Sequence, residues 1–218
     1  MNQHKAILLI GPTGSGKTPL GSLFEEKGLW GRRCLHFDFG EALREIAETG
    51  MGPSPLTDED IDVINQSLKS GALLEDENFH VAGNILMSFV KDKGMGRNDF
   101  VLLNGMPRHP GQAGDIDGII DVKMILYLEC SSAVVRERIQ LNSGGDRNGR
   151  IDDSPGAVEK KLRLFQERTF PLLNHYSEKG IGIEKIDVES DTTPEEIHRL
   201  LDAKDIKTYP RKEVKRFK

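Results

Sequence analysis

The segment that most constrains how this chain can fold lies near its start, where residues 7–18 read ILLIGPTGSGKT. The apolar residues 7–10 predict a buried strand, and residues 11–18 match the phosphate-loop pattern G-x-x-x-x-G-K-[ST] in full. Glycines let such a loop curl until several backbone N–H groups point inwards. These donors bind a polyphosphate together with the positive end of the following helix. A chance glycine-rich turn is the alternative, but eight residues in register between a strand and a helix argue against it.

The loop predicts a binding site for a nucleoside triphosphate, formed by Gly11, Pro12, Thr13, Gly14, Ser15, Gly16, Lys17 and Thr18. Lys17 is expected to reach the outer phosphates, and the Thr18 hydroxyl is expected to bind Mg²⁺. Pro19 is compatible with the helix that follows, because the first turn of a helix does not need the N–H group that proline lacks.

The composition fits one soluble globular domain. The chain has 218 residues, of which 30% are charged and 37% hydrophobic, and its net charge of −5 argues against general nucleic-acid binding. Cys34 and Cys130 fit no metal spacing and indicate a reducing compartment. No apolar run is long enough to cross a membrane, and the early strand leaves no room for a signal peptide. We therefore expect a cytoplasmic protein without a membrane or nucleic-acid partner.

Apolar strands alternate with amphipathic helices along the chain. Four further strands are predicted at residues 34–37, 99–104, 122–129 and 183–188, and residues 105–113 are predicted as a turn rich in glycine and proline. This alternation predicts a three-layer α/β/α fold with a five-stranded parallel sheet. Ligands of such folds bind at the carboxyl ends of the strands. Asp38, Asn104 and Arg108 follow strands directly, so they should share one rim with the phosphate loop.

Six motifs in order and at compatible spacing resemble those of the adenylate kinases and related nucleoside monophosphate kinases. They cover roughly residues 5–200 and read GPTGSGKT (11–18), HFDFGEALR (36–44), SGALLED (70–76), LNGMPRHPGQA (103–113), GRIDDS (149–154) and KKLRLFQERTFPLLNHY (160–176). The resemblance implies transfer of a phosphoryl group from Mg²⁺·ATP to a nucleoside monophosphate.

The resemblance also implies how the single P-loop kinase domain, residues 1–218, is divided. The core would comprise residues 1–38, 74–141 and 154–203, with an acceptor-binding insert at 39–73, a short lid at 142–153 and a basic tail at 204–218. A short lid without cysteines has no room for zinc. Short-lid members of this family are commonly monomers, so a monomer is expected.

Arginines are expected to carry much of the chemistry, because their forked donors bind phosphate oxygens in pairs. By resemblance, Arg44 and Arg108 clamp the acceptor phosphate, and Arg150 with Arg147 closes over the transferring group from the lid. Asp152 and Asp153 would hold lid arginines, and Arg138 would stack on the donor base.

The acceptor site implied by the resemblance comprises Phe39, Gly40, Arg44, Leu73, Gly105, Arg108, Gln112 and Lys161. Gln112 has two possible roles, which are to cap a turn or to read the acceptor base through its amide. Phe39 replaces a small hydroxyl residue of the family, so its ring would stack on a base or narrow the pocket.

The sequence departs from the family at its metal site. Asn104 stands where an aspartate is usual, and an amide oxygen is a weaker ligand for a hard cation than a carboxylate. Our hypothesis is that Asp38 compensates through water in the outer shell of Mg²⁺. Lys161 and Asn142 stand where arginines are usual, and Arg147 is a candidate replacement for the lost charge. An outlying kinase of nucleoside monophosphates is expected. A kinase of another small metabolite and a nucleotide-binding protein without turnover remain as alternatives.

Overall fold

Five parallel strands form the centre of the fold, as the sequence predicts. The computed structural model describes residues 3–72, 74, 76–147, 153–204 and 217. The strands are β1 (His4–Ile10), β2 (Cys34–Asp38), β3 (Phe100–Asn104), β4 (Ile120–Glu129) and β5 (Gly182–Asp187), in the order β2-β3-β1-β4-β5. The phosphate loop leaves β1, which lies at the centre of the sheet.

Helices cover both faces of the sheet. Within the described residues they are α1 (Lys17–Lys27), α2 (Phe39–Thr49), α3 (Asp58–Ser70), α4 (Phe79–Asp92), α5 (Pro110–Ile119), α6 (Ser132–Leu141), α7 (Pro155–Leu164), α8 (Pro171–Glu178) and α9 (Pro194–Asp202). Alternate residues of β1 enter different cores, since Ala6 and Leu8 pack in one cluster and Ile7 and Leu9 in the other. Burial on both faces explains why β1 is an unbroken apolar run. No helix within the described ranges is long and apolar enough to span a membrane.

Side chains that cap helices fix where the predicted helices begin. Thr57 with Asp60, and Thr193 with Glu196, form capping boxes at the starts of α3 and α9. Each pair satisfies backbone N–H groups that have no partner within the helix. Both pairs have the spacing of a capping box in the sequence, three residues apart.

One segment differs from the sequence prediction. Residues 110–119 form helix α5, whereas the sequence predicts a turn over residues 105–113 and no helix after it. The segment PGQAGDIDGI contains three glycines, which disfavour an isolated helix. Burial of Ala113 and Ile116 beside β4 supplies the stability that local propensity lacks.

Helices α7 and α8 are separated just before Pro171. Residues Phe165–Thr169 form a π-helical turn between α7 and α8, in which the Phe170 N–H donates to the Phe165 carbonyl at 2.8 Å. Pro171 has no N–H to continue the hydrogen-bond ladder, so a new helix begins there.

Candidate nucleotide-binding cleft

A cleft of about 700 Å³ opens at the carboxyl ends of the central strands. It is bordered by the phosphate loop, the ends of β2 and β3, the end of α3 and one side of α7. The predicted site residues among its lining are Gly11, Thr13, Gly14, Gly16, Lys17, Thr18, Asp38, Phe39, Gly40, Arg44, Gly105, Arg108, Gln112, Arg147 and Lys161. The structure thus brings the predicted donor and acceptor residues to one cavity.

The phosphate loop has the backbone shape that its glycines permit. Gly14 and Gly16 have φ angles of 77° and 92°, in the left-handed region that side chains disfavour. Gly11 must also lack a side chain, because a Cβ there would lie 2.7 Å from the Leu128 carbonyl oxygen. Ser15 is buried and its Oγ donates to the Pro12 carbonyl at 2.9 Å. These glycines and the Ser15 hydrogen bond give the loop its tight turn.

Lys17 lies at the centre of the loop. Its Nζ donates to the carbonyl oxygens of Gly11 and Pro12, each at 2.7 Å. Burial lowers the pKa of Lys17 to about 7, and the neighbouring Arg108 and Arg147 add to the effect. An anionic phosphate at this position would favour the charged form again.

This lowered pKa predicts a pH-dependent affinity for ATP. Above pH 7 the free protein has partly lost the Lys17 proton, and binding a polyphosphate should restore it, so binding takes up protons. Affinity should therefore fall as pH rises from 7.5 to 9, by up to about tenfold per pH unit. Calorimetry in two buffers with different ionisation enthalpies measures the proton uptake. The K17R variant keeps its charge, so its affinity should vary less with pH; equal slopes in both proteins would contradict the assignment.

Arg138 lies behind the loop and not on the cleft surface. Its side chain is buried and donates to the carbonyls of Gly14 at 3.1 Å, Glu189 at 2.7 Å and Thr192 at 3.0 Å, and also to Ser190. The structure therefore shows it tying the phosphate loop to the loop after β5. Stacking of Arg138 on a donor base stays a prediction.

Replacing Arg138 with methionine should destabilise the fold and loosen the phosphate loop. Several buried carbonyls would lose a charged donor, so the free energy of unfolding should fall by about 1.5–3 kcal/mol. Urea denaturation measures this change, and ATP titration measures the effect on the loop. Arg136 on the same helix is a matched control, because it is 55% exposed and pairs with Glu159 on the surface. Equal stabilities of R138M and R136M would contradict this role.

The two arginines predicted to bind the acceptor phosphate, Arg44 and Arg108, both line the cleft. Arg44 lies half-buried on α2, and Arg108 follows the cis peptide Met106–Pro107 after β3. The Arg108 Nε donates to the Gly105 carbonyl at 2.6 Å, and the Thr169 hydroxyl donates to the Arg108 carbonyl at 2.9 Å. These contacts fix the backbone and the stem of the arginine at the rim.

Gln112 and Phe39 are both buried beside this site. The Gln112 Oε1 accepts from the Arg108 N–H at 2.8 Å, and its Nε2 donates to the Leu74 carbonyl at 2.5 Å. Of the two roles that the sequence leaves open, the structure shows the one in which Gln112 holds the turn; base reading stays a prediction. Phe39 is 5% exposed and packs against Phe37, with ring centroids 6.1 Å apart.

The described part of the lid lies against the phosphate loop. The Arg147 guanidinium donates to Asp153 Oδ1 at 2.6 Å and to the Thr13 hydroxyl at 3.0 Å. Lys161 lies 3.6 Å from the same carboxylate oxygen, and the Asn142 side chain accepts from the Arg147 N–H at 3.1 Å. Arg147 thus brings a positive charge to the loop. The predicted site residues Arg150, Leu73 and Asp152 lie outside the described residues.

Sequence reasoning missed Lys160. Its Nζ donates to the Ser70 carbonyl at 2.5 Å, which joins α7 to the end of α3 across the cleft. A cation at a helix carboxyl end is favoured by the exposed carbonyls there. The doubled lysine of the KKLRLF segment was the available signal, but sequence alone does not show which helix end it meets.

The parallel sheet and the closed phosphate loop define a P-loop nucleotide-binding protein of the α/β class. No protein-family profile matches the chain. Among curated proteins, it is 26% identical to an adenylate kinase of Prochlorococcus marinus strain SARG, over 80% of this chain and 86% of the relative. It is 28% identical to an adenylate kinase of Xylella fastidiosa strain M23, over 80% and 87%. It is also 26% identical to UMP-CMP kinase 2 of Caenorhabditis elegans, over 92% and 97%. The chain is thus similar, at modest identity over most of its length, to adenylate kinases and to a UMP-CMP kinase.

Proposed function

We propose that this protein is an ATP-dependent kinase that transfers the γ-phosphoryl group of Mg²⁺·ATP to a nucleoside monophosphate. One observation carries the proposal: a single cleft holds both the phosphate loop with Lys17 and the two arginines of the acceptor side, Arg44 and Arg108. A protein that only bound a triphosphate would not need a second cluster of cations facing the loop. The named relatives are kinases of this kind.

The proposed chemistry depends on position and charge. Phosphoryl transfer requires donor and acceptor in line and neutralisation of the transferring oxygens. Lys17 and the loop N–H groups would hold the donor phosphates, while Arg44 and Arg108 would hold the acceptor phosphate. Arg147 already contacts Thr13 of the loop and would add charge from the lid side. Closure of the cleft would exclude water and so disfavour hydrolysis of ATP.

Two oxygen-bearing residues beside the loop are suitable ligands for a magnesium ion, with phosphate oxygens and water completing its coordination. The Thr18 hydroxyl lies 2.6 Å from an Asp38 carboxylate oxygen, and hydroxyl and carboxylate oxygens are ligands that Mg²⁺ accepts directly or through water. When bound, the ion would neutralise charge on the phosphates. No cluster of three or more histidines, cysteines or carboxylates occurs in the described part of the chain, so the phosphates themselves would have to complete the coordination.

A panel assay tests the proposal. Purified protein is mixed with Mg²⁺·ATP and each of AMP, UMP, CMP, GMP and dTMP, and the diphosphate product is measured directly. Diphosphate formation with one or a few acceptors would support the proposal and name the substrate. ATP binding without turnover on any acceptor would instead support a nucleotide-binding protein that has lost catalysis, which Asn104 at the metal site favours.

A kinase of another small metabolite is the second alternative. Asp38, the last residue of β2, and Phe39, the first residue of α2, are the features that favour it. Turnover of a non-nucleotide phosphate acceptor would decide for this alternative. We also infer a monomer in the cytoplasm, supported by the two free cysteines, Cys34 and Cys130, and the short lid.

A further inference from the structure

Three polar side chains meet directly beside the phosphate loop. The Thr18 hydroxyl donates to Asp38 Oδ2 at 2.6 Å. The Asn104 amide nitrogen lies 2.7 Å from the same oxygen and 3.0 Å from the Thr18 hydroxyl. Asp38 and Asn104 are paired in register as the last residues of β2 and β3. The sheet therefore fixes their separation, and the contact does not depend on a mobile loop.

The orientation of the Asn104 amide follows from its neighbours. If the amide were reversed, its oxygen would lie 2.7 Å from a carboxylate oxygen, and two acceptors would face each other. The His36 Nε2 lies 3.5 Å from the amide nitrogen, so in this orientation the amide can donate to the ring when the histidine proton is on Nδ1. The NH₂ group of Asn104 thus faces Thr18 and Asp38, and an NH₂ group cannot coordinate a cation.

We propose that the carboxylate of the metal site is supplied by Asp38 and not by position 104, where the related kinases have an aspartate. We call this arrangement the exchange. Asp38, at the end of β2, supplies the carboxylate of the metal site, and Asn104, at the end of β3, is a positioning residue that holds this carboxylate against Thr18. The proposal rests on the use of Mg²⁺·ATP proposed above. It assigns the metal-site carboxylate to a different strand from the one where the related kinases have it.

Both oxygens of the Asp38 carboxylate are held. Oδ1 accepts from the Glu41 N–H at 3.1 Å, which caps helix α2, and Oδ2 accepts from Thr18 and Asn104. A carboxylate fixed in this way is already oriented before any ion binds.

The amide is the partner that this arrangement requires. An aspartate at position 104 beside Asp38 would place two carboxylate oxygens at the distance of the present hydrogen bond, where like charges repel. Asparagine has nearly the same shape and contributes a donor in place of the charge. The acid at position 38 therefore explains why position 104 has an amide and not an aspartate.

Four proteins test the exchange: the wild type, D38N, N104D and the double variant D38N/N104D. The affinity of each protein for ATP is measured by calorimetry, once with Mg²⁺ and once with EDTA. The readout is the affinity with Mg²⁺ divided by the affinity with EDTA. D38N should lower this ratio by about tenfold or more, because it removes the only carboxylate of the cluster. The double variant moves the carboxylate to β3 and should regain most of the ratio. E48Q, at an exposed position in the last turn of α2, is the control and should keep the wild-type ratio.

Affinity in EDTA shows that each variant still folds and binds through Lys17. A D38N protein with the wild-type ratio, or a wild type whose ATP affinity does not respond to Mg²⁺, would overturn the exchange. If the double variant has no higher ratio than D38N, a carboxylate at position 104 does not replace one at position 38, and the proposed exchange between the two positions is wrong. The panel assay is independent of this readout: if the wild type transfers no phosphate but its Mg²⁺ response depends on Asp38, the exchange stands and the proposed kinase activity fails.

Discussion

Replacing Lys17 with alanine should reduce kcat/KM for the proposed phosphotransfer by a factor on the order of 10²–10³. Lys17 is the cation at the centre of the phosphate loop, and its Nζ already lies 2.7 Å from two loop carbonyls. In the half-buried loop, a positive charge beside the transferring oxygens is worth more than the same charge in water. Initial rates with saturating acceptor and varied Mg²⁺·ATP measure the effect.

Lys27 provides the control for this variant. It lies on the same helix, α1, but in its exposed last turn, so K27A should keep wild-type kinetics. Because Lys17 also holds the Gly11 and Pro12 carbonyls, thermal unfolding of K17A shows whether the loop remains closed. A K17A protein that is folded and as active as K27A would remove Lys17 from the proposed chemistry.

The strongest local patterns predicted the fold well. The apolar run of β1, the phosphate loop and both capping boxes are short segments whose residues determine their own conformation, and the structure has each of them. The parallel sheet follows from the alternation of strands and helices. Helix α5 could not be predicted in this way, because its stability comes from burial of Ala113 and Ile116 and not from its glycine-rich sequence.

The sequence predicts which residues belong to the candidate site better than it predicts the contacts between them. The sequence predicts that Asp38, Asn104 and Arg108 lie at the same edge of the sheet, because each lies at or just after the carboxyl end of a parallel strand. It does not predict that Asp38 and Asn104 touch, since this depends on the register between β2 and β3. The contacts of Arg138 were the least predictable. Its position in the sequence shows that it lies on a helix, but the carbonyls that accept its hydrogen bonds belong to Gly14 and Glu189, which are 124 and 51 residues away.

Gln112 illustrates the same limit on side-chain roles. From sequence, its amide was free either to cap a turn or to read a base. In the structure both ends of the amide bond to backbone groups. The oxygen accepts from the Arg108 N–H in the same turn, and the nitrogen donates to the carbonyl of Leu74, 38 residues away. A long-range partner of this kind has no local signal, because any carbonyl of the chain would serve as the acceptor.

Replacing Arg108 should impair the acceptor more than the donor. Its Nε is anchored to the Gly105 carbonyl at 2.6 Å, and its backbone is held by Gln112 and Thr169. The anchoring leaves the two terminal nitrogens as the donors for a phosphate. R108A removes both donors and the charge, so kcat/KM for the acceptor should fall by a factor on the order of 10²–10³. KM for ATP should change much less, because the donor phosphates are held by the loop.

R108K separates charge from geometry. A lysine keeps the positive charge but is a point donor, and it cannot bind two phosphate oxygens with a planar fork. We therefore expect R108K to recover only part of the loss seen in R108A, with the remaining defect in the acceptor KM and in kcat. R97A, an exposed arginine before β3, is the control and should behave as wild type. Equal losses toward ATP and acceptor in R108A would show that Arg108 supports the cleft as a whole and does not clamp the acceptor phosphate.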